Sequence, residues 1–155
     1  MKIVSINVST SKGTPKQPVD TAELIPGHGV KGDGHAGDWH RQVSFLAAEK
    51  IETARAQGLD VGFGDFAENI TTTGVDWPLL PVGTRVRMGD SVLVEITQIG
   101  KVCHKPCAIY YRAGDCIMPK SGVFAKVLMG GAIHVDDPLL ITDNNPPEQT
   151  SPVQE

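Results

Sequence analysis

The segment VGTRVRMGDSVLVEITQIG, residues 82–100, constrains the fold more than any other stretch of the chain. Val92, Val94 and Ile96 alternate with Leu93, Glu95 and Thr97, the two-residue period of a strand with one buried and one half-wet face. MGDS, residues 88–91, is the turn that folds this strand back on its predecessor. A long antiparallel hairpin with a buried face needs a sheet or barrel to cover it, so the search elsewhere is for more strands.

Short strand signals recur along the chain. KIVSINV opens it, TAELI follows a loop-forming stretch STSKGTPKQPVD, RQVSFL precedes a helical segment, Asn69–Thr72 is framed by glycines, and AIHV and PLLIT close the ordered part. In AAEKIETARAQG, Ala47, Ala48, Ile51 and Ala54 share one helical face, and Gly58 is placed to end the helix in the left-handed conformation. GVFAKVLMGG reads as a second helix, with Val123, Phe124, Val127 and Leu128 on one face before two glycines. About seven strands and two or three helices, not alternating, predict a mainly β, barrel-like domain with a few peripheral helices.

A chain of 155 residues suits one domain with its own core, expected over 1–142. The final stretch 143–155, DNNPPEQTSPVQE, has three prolines and a single apolar side chain, and is predicted to be a disordered tail. Fourteen basic and eighteen acidic residues, net −4, are mixed without blocks of one sign, which argues against nucleic acid or acidic lipid and for a small-molecule partner. No run approaches the length of a membrane span and the N-terminal apolar run is too short for a signal peptide, so the expected location is the cytoplasm.

One glycine-rich loop, one polar motif and one cysteine-rich run carry candidate chemistry. PGHGVKGDGHAGDWH, residues 26–40, contains a G-x-G-x-x-G match at Gly27, Gly29 and Gly32, but the chain continues into DGHAGDW, which cannot start the helix a pyrophosphate needs; no nucleotide cofactor is expected. The loop has two readings. Its amides with Lys31, His35 and Arg41 suit an anion, and its glycines with an Asp33–His35 pair equally suit a surface turn. FAENITT gathers Glu68, Asn69, Thr71, Thr72 and Thr73, a set able to bind a polar heterocycle or to cap a turn into a strand.

All three cysteines fall within residues 100–119, GKVCHKPCAIYYRAGDCIMP, as C-x3-C-x8-C. A reducing cytosol and an odd count disfavour a disulfide framework; the spacing does not match paired zinc knuckles, although three thiolates with His104 leave structural zinc as an alternative. Lys101, His104 and Lys105 surround Cys103 with positive charge, which favours a reactive thiolate there; an inert half-buried thiol remains the alternative. Cys107 and Cys116 stand beside apolar residues and read as packing thiols.

In this order, GVKGDGHAG with RQVSFL, FGDFAENITTTGVD, VGTRVRMGDSVLVEITQIGKVCH and GVFAKVLMGGAIHVDD resemble the MOSC domain family, named for the C-terminal domain of molybdenum-cofactor sulfurases. The likeness spans about residues 27–137. It implies a β-barrel that binds a molybdenum-pterin cofactor (molybdopterin), with Cys103 as metal ligand and catalytic or sulfur-carrying group. It further implies that Asp33, His35, Arg41, Glu68, Asn69, Thr71 and Thr72 line the cofactor pocket, with Lys31 and Lys101 adding positive charge. Relatives reduce N-hydroxylated bases with an external flavoprotein as electron donor, or take sulfur from a cysteine desulfurase. The pyridoxal-phosphate desulfurase joined to the domain in the sulfurases is not expected here, so a persulfide on Cys103 would come from another protein. The chain departs from its relatives in having Ala67 where many have glycine, and Ile99-Gly100-Lys101 where many bacterial members place an arginine.

Overall fold

The computed structural model describes residues 1–11, 15–100 and 122–143. Its strands are β1 (Lys2–Val8), β2 (Gln17–Val19), β3 (Thr21–Ile25), β4 (Gly29–Val30), β5 (Val43–Ala47), β6 (Ile70–Thr73), β7 (Arg85–Met88), β8 (Val92–Ile99), β9 (Val123–Met129), β10 (Gly131–His134) and β11 (Leu139–Asp143). One helix, α1 (Ala48–Ala56), and a single 3-10 turn at Trp77–Leu79 complete the described elements. The mainly β class is as the sequence predicts.

The closed barrel is not. Eight strands form one sheet in the order β11-β7-β8-β9-β5-β6-β1-β2, and β10-β3-β4 form a second. Among the described residues the large sheet keeps two open edges, β11 and the three-residue β2, instead of joining them. The small sheet lies over one of its faces. Leu24, Val30 and Ile133 from the small sheet share a core with Val43, Phe45, Ile70, Val86, Val94 and Ala125 of the large one. Residues of opposite parity on the same strands, Leu46 and Phe124, face the other way and pack against Ile51, Ala54, Val61 and Phe66 under α1.

This second core explains the largest misreading. GVFAKVLMGG is β9, not a helix. As a central strand covered on both faces it is apolar at consecutive positions, so its pattern mimics a helical stripe. Among the described residues the peripheral helices accordingly reduce to α1 and the 3-10 turn, and the strands number eleven where about seven are expected from the sequence. Part of the predicted loop STSKGTPKQPVD is β2, which pairs antiparallel with β1 as Ile6↔Val19. Within the glycine-rich loop, Gly29–Val30 pairs with β3. Both pieces are too short to produce a two-residue pattern.

The 82–100 hairpin forms as expected, with Met88 opposite Val92 and Gly89 at a φ of 61° in the turn. Gly58 follows α1 at a φ of 97°, as a left-handed helix stop. The only parallel pairing in the described sheets joins β5 to β6, Phe45↔Ile70, and α1 supplies the crossover that parallel strands require. β11 runs to Asp143, one residue past the predicted end of the domain, and the tail beyond it lies outside the described residues. None of the described helices is long and apolar enough to cross a membrane.

Candidate functional site

Five chain segments meet at one end of the large sheet: the end of β1, the glycine-rich loop before β5, the FAENITT turn before β6, the end of β8 and the start of β9. Sheet register sets this convergence, since Asn69 lies beside Ser44 just ahead of β6, and Gln98 pairs with Phe124.

The glycine-rich loop is held by a buried ion pair. The Lys16 ammonium lies 2.8 Å from Asp33 Oδ1, with the two side chains 1% and 0% exposed. Asp33 also accepts the Ser9 N–H at 3.0 Å and the His35 N–H at 2.9 Å. Burial pushes its carboxyl up, but the Lys16 bond and these donors outweigh it and hold Asp33 below the ordinary aspartate value. The backbone passes close by as well: a Cβ on Gly34 would stand 2.6 Å from the Thr10 carbonyl oxygen. Lys16 lies in a proline-flanked loop with no pattern around it, and no sequence signal marked it.

FAENITT forms a second buried network joined to the first. Lys16 N–H donates to the Gly64 carbonyl at 2.8 Å, and Gly64 N–H donates to Glu68 Oε2 at 2.8 Å. Glu68 Oε2 also accepts the Thr71 hydroxyl at 2.7 Å, and Asn7 Nδ2 donates to Thr71 Oγ1 at 3.1 Å. Asn69 Oδ1 accepts Ser44 N–H at 3.0 Å, while its Nδ2 donates to the Asn7 carbonyl at 3.2 Å. Glu68, Asn69, Thr71 and Thr72 are all fully buried. Glu68 Oε1 has no hydrogen-bond partner, and burial raises the Glu68 carboxyl above the ordinary glutamate value despite the Gly64 and Thr71 bonds. Thr72 turns to the opposite face, where its hydroxyl accepts the Trp77 Nε1–H at 2.8 Å.

His35 and Arg41 come together at the rim. His35 Nδ1 lies 2.8 Å from the Arg41 carbonyl, and its ring stacks on Phe124 at 5.7 Å and 14°. The Arg41 guanidinium sits over the Trp39 ring at 4.6 Å and near Phe124 at 5.4 Å. Its Nε is buried without a hydrogen-bond partner. Beside it, His40 Nε2 lies 2.7 Å from Gln98 Oε1, the Gln98 amide donates to the Gly100 carbonyl at 2.7 Å, and Thr97 Oγ1 donates to the His40 carbonyl. Lys31 lies apart, exposed, its ammonium 3.8 Å from Glu23.

Gly100 N–H donates to the Gly122 carbonyl at 2.7 Å, so the two residues that flank the 101–121 segment stand together at this rim. Cys103, Lys101, Cys107 and Cys116 belong to that segment and lie outside the described residues. Among the described residues no three His, Cys, Asp or Glu side chains cluster as a metal site. A cavity of about 320 Å³, lined by Ala47, Glu49, Lys50, Val75 and Trp77, sits at the far end of β5 and β6 and shares none of the rim's side chains.

The MOSC domain model matches residues 32–140. The chain belongs to the MOSC domain family. Its fold is similar to that of the YuaD protein from Bacillus subtilis, with a TM-score of 0.73 at 17% identity over 89% of this chain and 93% of that one. YiiM from Geobacillus stearothermophilus superposes with a TM-score of 0.70 at 23% identity, covering 92% of this chain and 75% of its own. For YiiM from Escherichia coli the values are 0.65 and 23%, covering 92% and 70%. No curated protein matches the chain in sequence. In this MOSC domain, position 67 adopts a φ of 64°, a left-handed conformation in which glycine is unstrained and Ala67 is not.

Proposed function

We propose that this MOSC protein binds a molybdenum-pterin cofactor at the rim formed by Arg41, His35 and the base of the 101–121 segment, and reduces N-hydroxylated substrates there. The observation that carries the reading is the Arg41 Nε–H, desolvated and unpaired between two aromatic rings. A buried donor is costly to leave unsatisfied, and a guanidinium suits a phosphate or another planar anionic edge. The residues present therefore fit the anionic part of such a cofactor.

Under this proposal Arg41 and Lys101 hold the anionic group, with the aromatic faces of Trp39 and Phe124 fixing the guanidinium plane. Cys103 supplies a thiolate, a soft ligand suited to molybdenum. When bound, the cofactor supplies two-electron chemistry, and an external flavoprotein restores the electrons. Asp33, Glu68, Asn69 and Thr71 act one layer beneath. Their side-chain bonds run to Lys16, Gly64, Asn7 and Ser44, and they set the backbone from which Arg41 and His35 project. Lys31, exposed and paired with Glu23, adds at most long-range positive charge.

The test is molybdenum and pterin content per chain for wild type, Arg41→Lys and Cys103→Ser, expressed in cells that make the cofactor. Near-stoichiometric loading of wild type, with metal lost from Cys103→Ser and pterin reduced in Arg41→Lys, is the expected result. Folded wild type without either component would overturn the proposal. Addition of one sulfur atom to Cys103 by a cysteine desulfurase would then favour a sulfur carrier.

A further inference from the structure

At the end of the large sheet away from the rim, a protruding leucine stands beside a hollow. Trp77 anchors the 3-10 turn there: it is fully buried, its ring lies 4.7 Å from that of Phe45, and its Nε1–H is held by Thr72. The Asp76 and Trp77 carbonyls accept the Leu79 and Leu80 N–H groups at 3.1 and 3.0 Å, so the backbone that carries Leu79 is fixed. Leu79 itself is 76% exposed, the most exposed large apolar side chain among the described residues, and Pro78 and Pro81 flank the Leu79-Leu80 pair. The adjoining cavity of about 320 Å³ has an apolar lining that includes Val75, Trp77 and Pro78 and a charged edge of Glu49, Lys50 and Asp76. Met1, half exposed, borders it at Gly74, where an added Cβ would stand 3.5 Å from Met1 Cγ.

We infer that this patch is the interface of a two-fold dimer of the chain, in which Leu79 of each copy enters the hollow of the other. A knob and a hole side by side on one surface are self-complementary, because half a turn about an axis between them seats both knobs at once. Charge favours the same occupant. Lys50 and Asp76 are exposed and, among the described residues, neither side chain is paired. Glu49, by contrast, is committed within its own chain, its Oε2 accepting the Thr73 hydroxyl at 2.9 Å and the Gly74 N–H at 3.0 Å. The free charges at the edge are thus one ammonium and one carboxylate, and the two-fold axis sets Lys50 of each copy against Asp76 of the other. A second copy therefore supplies an apolar group for the lining and an opposite charge for each edge residue. The inference is independent of the cofactor reading, since the hollow shares no side chain with the rim.

Sedimentation velocity of the full chain from about 10 µM to about 1 mM covers the affinities of small, transient interfaces, and wild type should pass from monomer to dimer within that range. Leu79→Asp takes two leucines out of the contact and places two carboxylates in apolar hollows, so it should weaken the dimer at least about a hundredfold. The position is exposed, so the thermal midpoint of the monomer should not move. Asp76 makes no capping hydrogen bond through its side chain and can be changed without harm to the turn. Lys50→Glu alone and Asp76→Lys alone should each weaken the dimer up to about tenfold, and the two together should restore it to within about threefold of wild type. A monomer at every concentration would overturn the inference and leave the hollow to a small ligand or a different partner. A dimer that Leu79→Asp leaves intact would overturn it as well, by placing the interface elsewhere. A double variant no stronger than either single one would refute the Lys50–Asp76 pairing and with it the two-fold arrangement.

Discussion

Replacing Lys16 with methionine asks how much the glycine-rich loop depends on one buried ion pair. Methionine keeps most of the apolar stem of the lysine and removes the ammonium, with its hydrogen bonds to Asp33 and Ser9. The Asp33 carboxylate would then be buried with two backbone donors, from Ser9 and His35, in place of those donors and an ammonium. Removing one partner of a buried pair costs about 3–5 kcal/mol, and the two remaining donors place this case near the lower end, about 3 kcal/mol. With a urea m-value of about 1–3 kcal/mol per molar, the unfolding midpoint near neutral pH should fall by about 1–3 M.

The sign of the pH dependence provides a second check. Asp33 is held below its unfolded value, so its contribution is present above that value and is lost as pH falls through the folded one. Wild type and Lys16→Met should therefore converge as acid protonates Asp33, while Lys2→Met, which breaks the exposed Lys2–Asp136 pair, should change stability by less than about 1 kcal/mol throughout. A cost below about 1 kcal/mol for Lys16→Met, or a gap equally wide in acid and at neutral pH, would refute the assignment of the loop's stability to this pair.

Three further outcomes follow from the same network. Glu68, whose carboxyl is raised by burial, gives stability that is complete below the unfolded glutamate value and declines as pH rises through the folded one; Glu68→Gln should flatten that decline, and urea unfolding across acid to alkaline pH measures it. Ala67→Gly relieves the left-handed strain at position 67 and, after the entropy glycine adds to the unfolded chain, should gain about 0.5–1 kcal/mol in the same assay. Gly64→Ala should cost more than about 2 kcal/mol, because φ is 89° and the new Cβ would overlap the Lys16 carbonyl oxygen and stand 3.2 Å from Asn7 Cγ; an unchanged thermal midpoint would show that these segments can part.

What the sequence revealed depended on how local each signal was. The 82–100 hairpin and α1 were legible because turn residues, caps and periodicity lie within the elements themselves. β9 was misread because burial on both faces erases the alternation that marks a strand, and a seven-residue stretch that is apolar but for Lys126, set between glycines, looks the same as a helical stripe. Lys16 illustrates the opposite difficulty. Its partner Asp33 is distant in sequence, and only the pairing of β1 with β2 brings its loop against the glycine-rich turn.

The candidate residues were identified largely by motif, yet the structure divides them by depth. Asp33, Asn69 and Thr71 end in bonds to other buried groups, and a side chain whose polar atoms are already paired cannot also grip a ligand without breaking them; Glu68 keeps one unpaired oxygen, Oε1, but is fully buried beneath the rim. Arg41, with a buried donor unpaired, has that capacity. The two motifs thus do different work: FAENITT and Asp33 form the rigid layer, and the end of the glycine-rich loop from Trp39 to Arg41 presents the group that can bind. Changes in the buried layer should therefore appear first as lost stability, and changes at the rim as lost binding or rate in a protein that still folds.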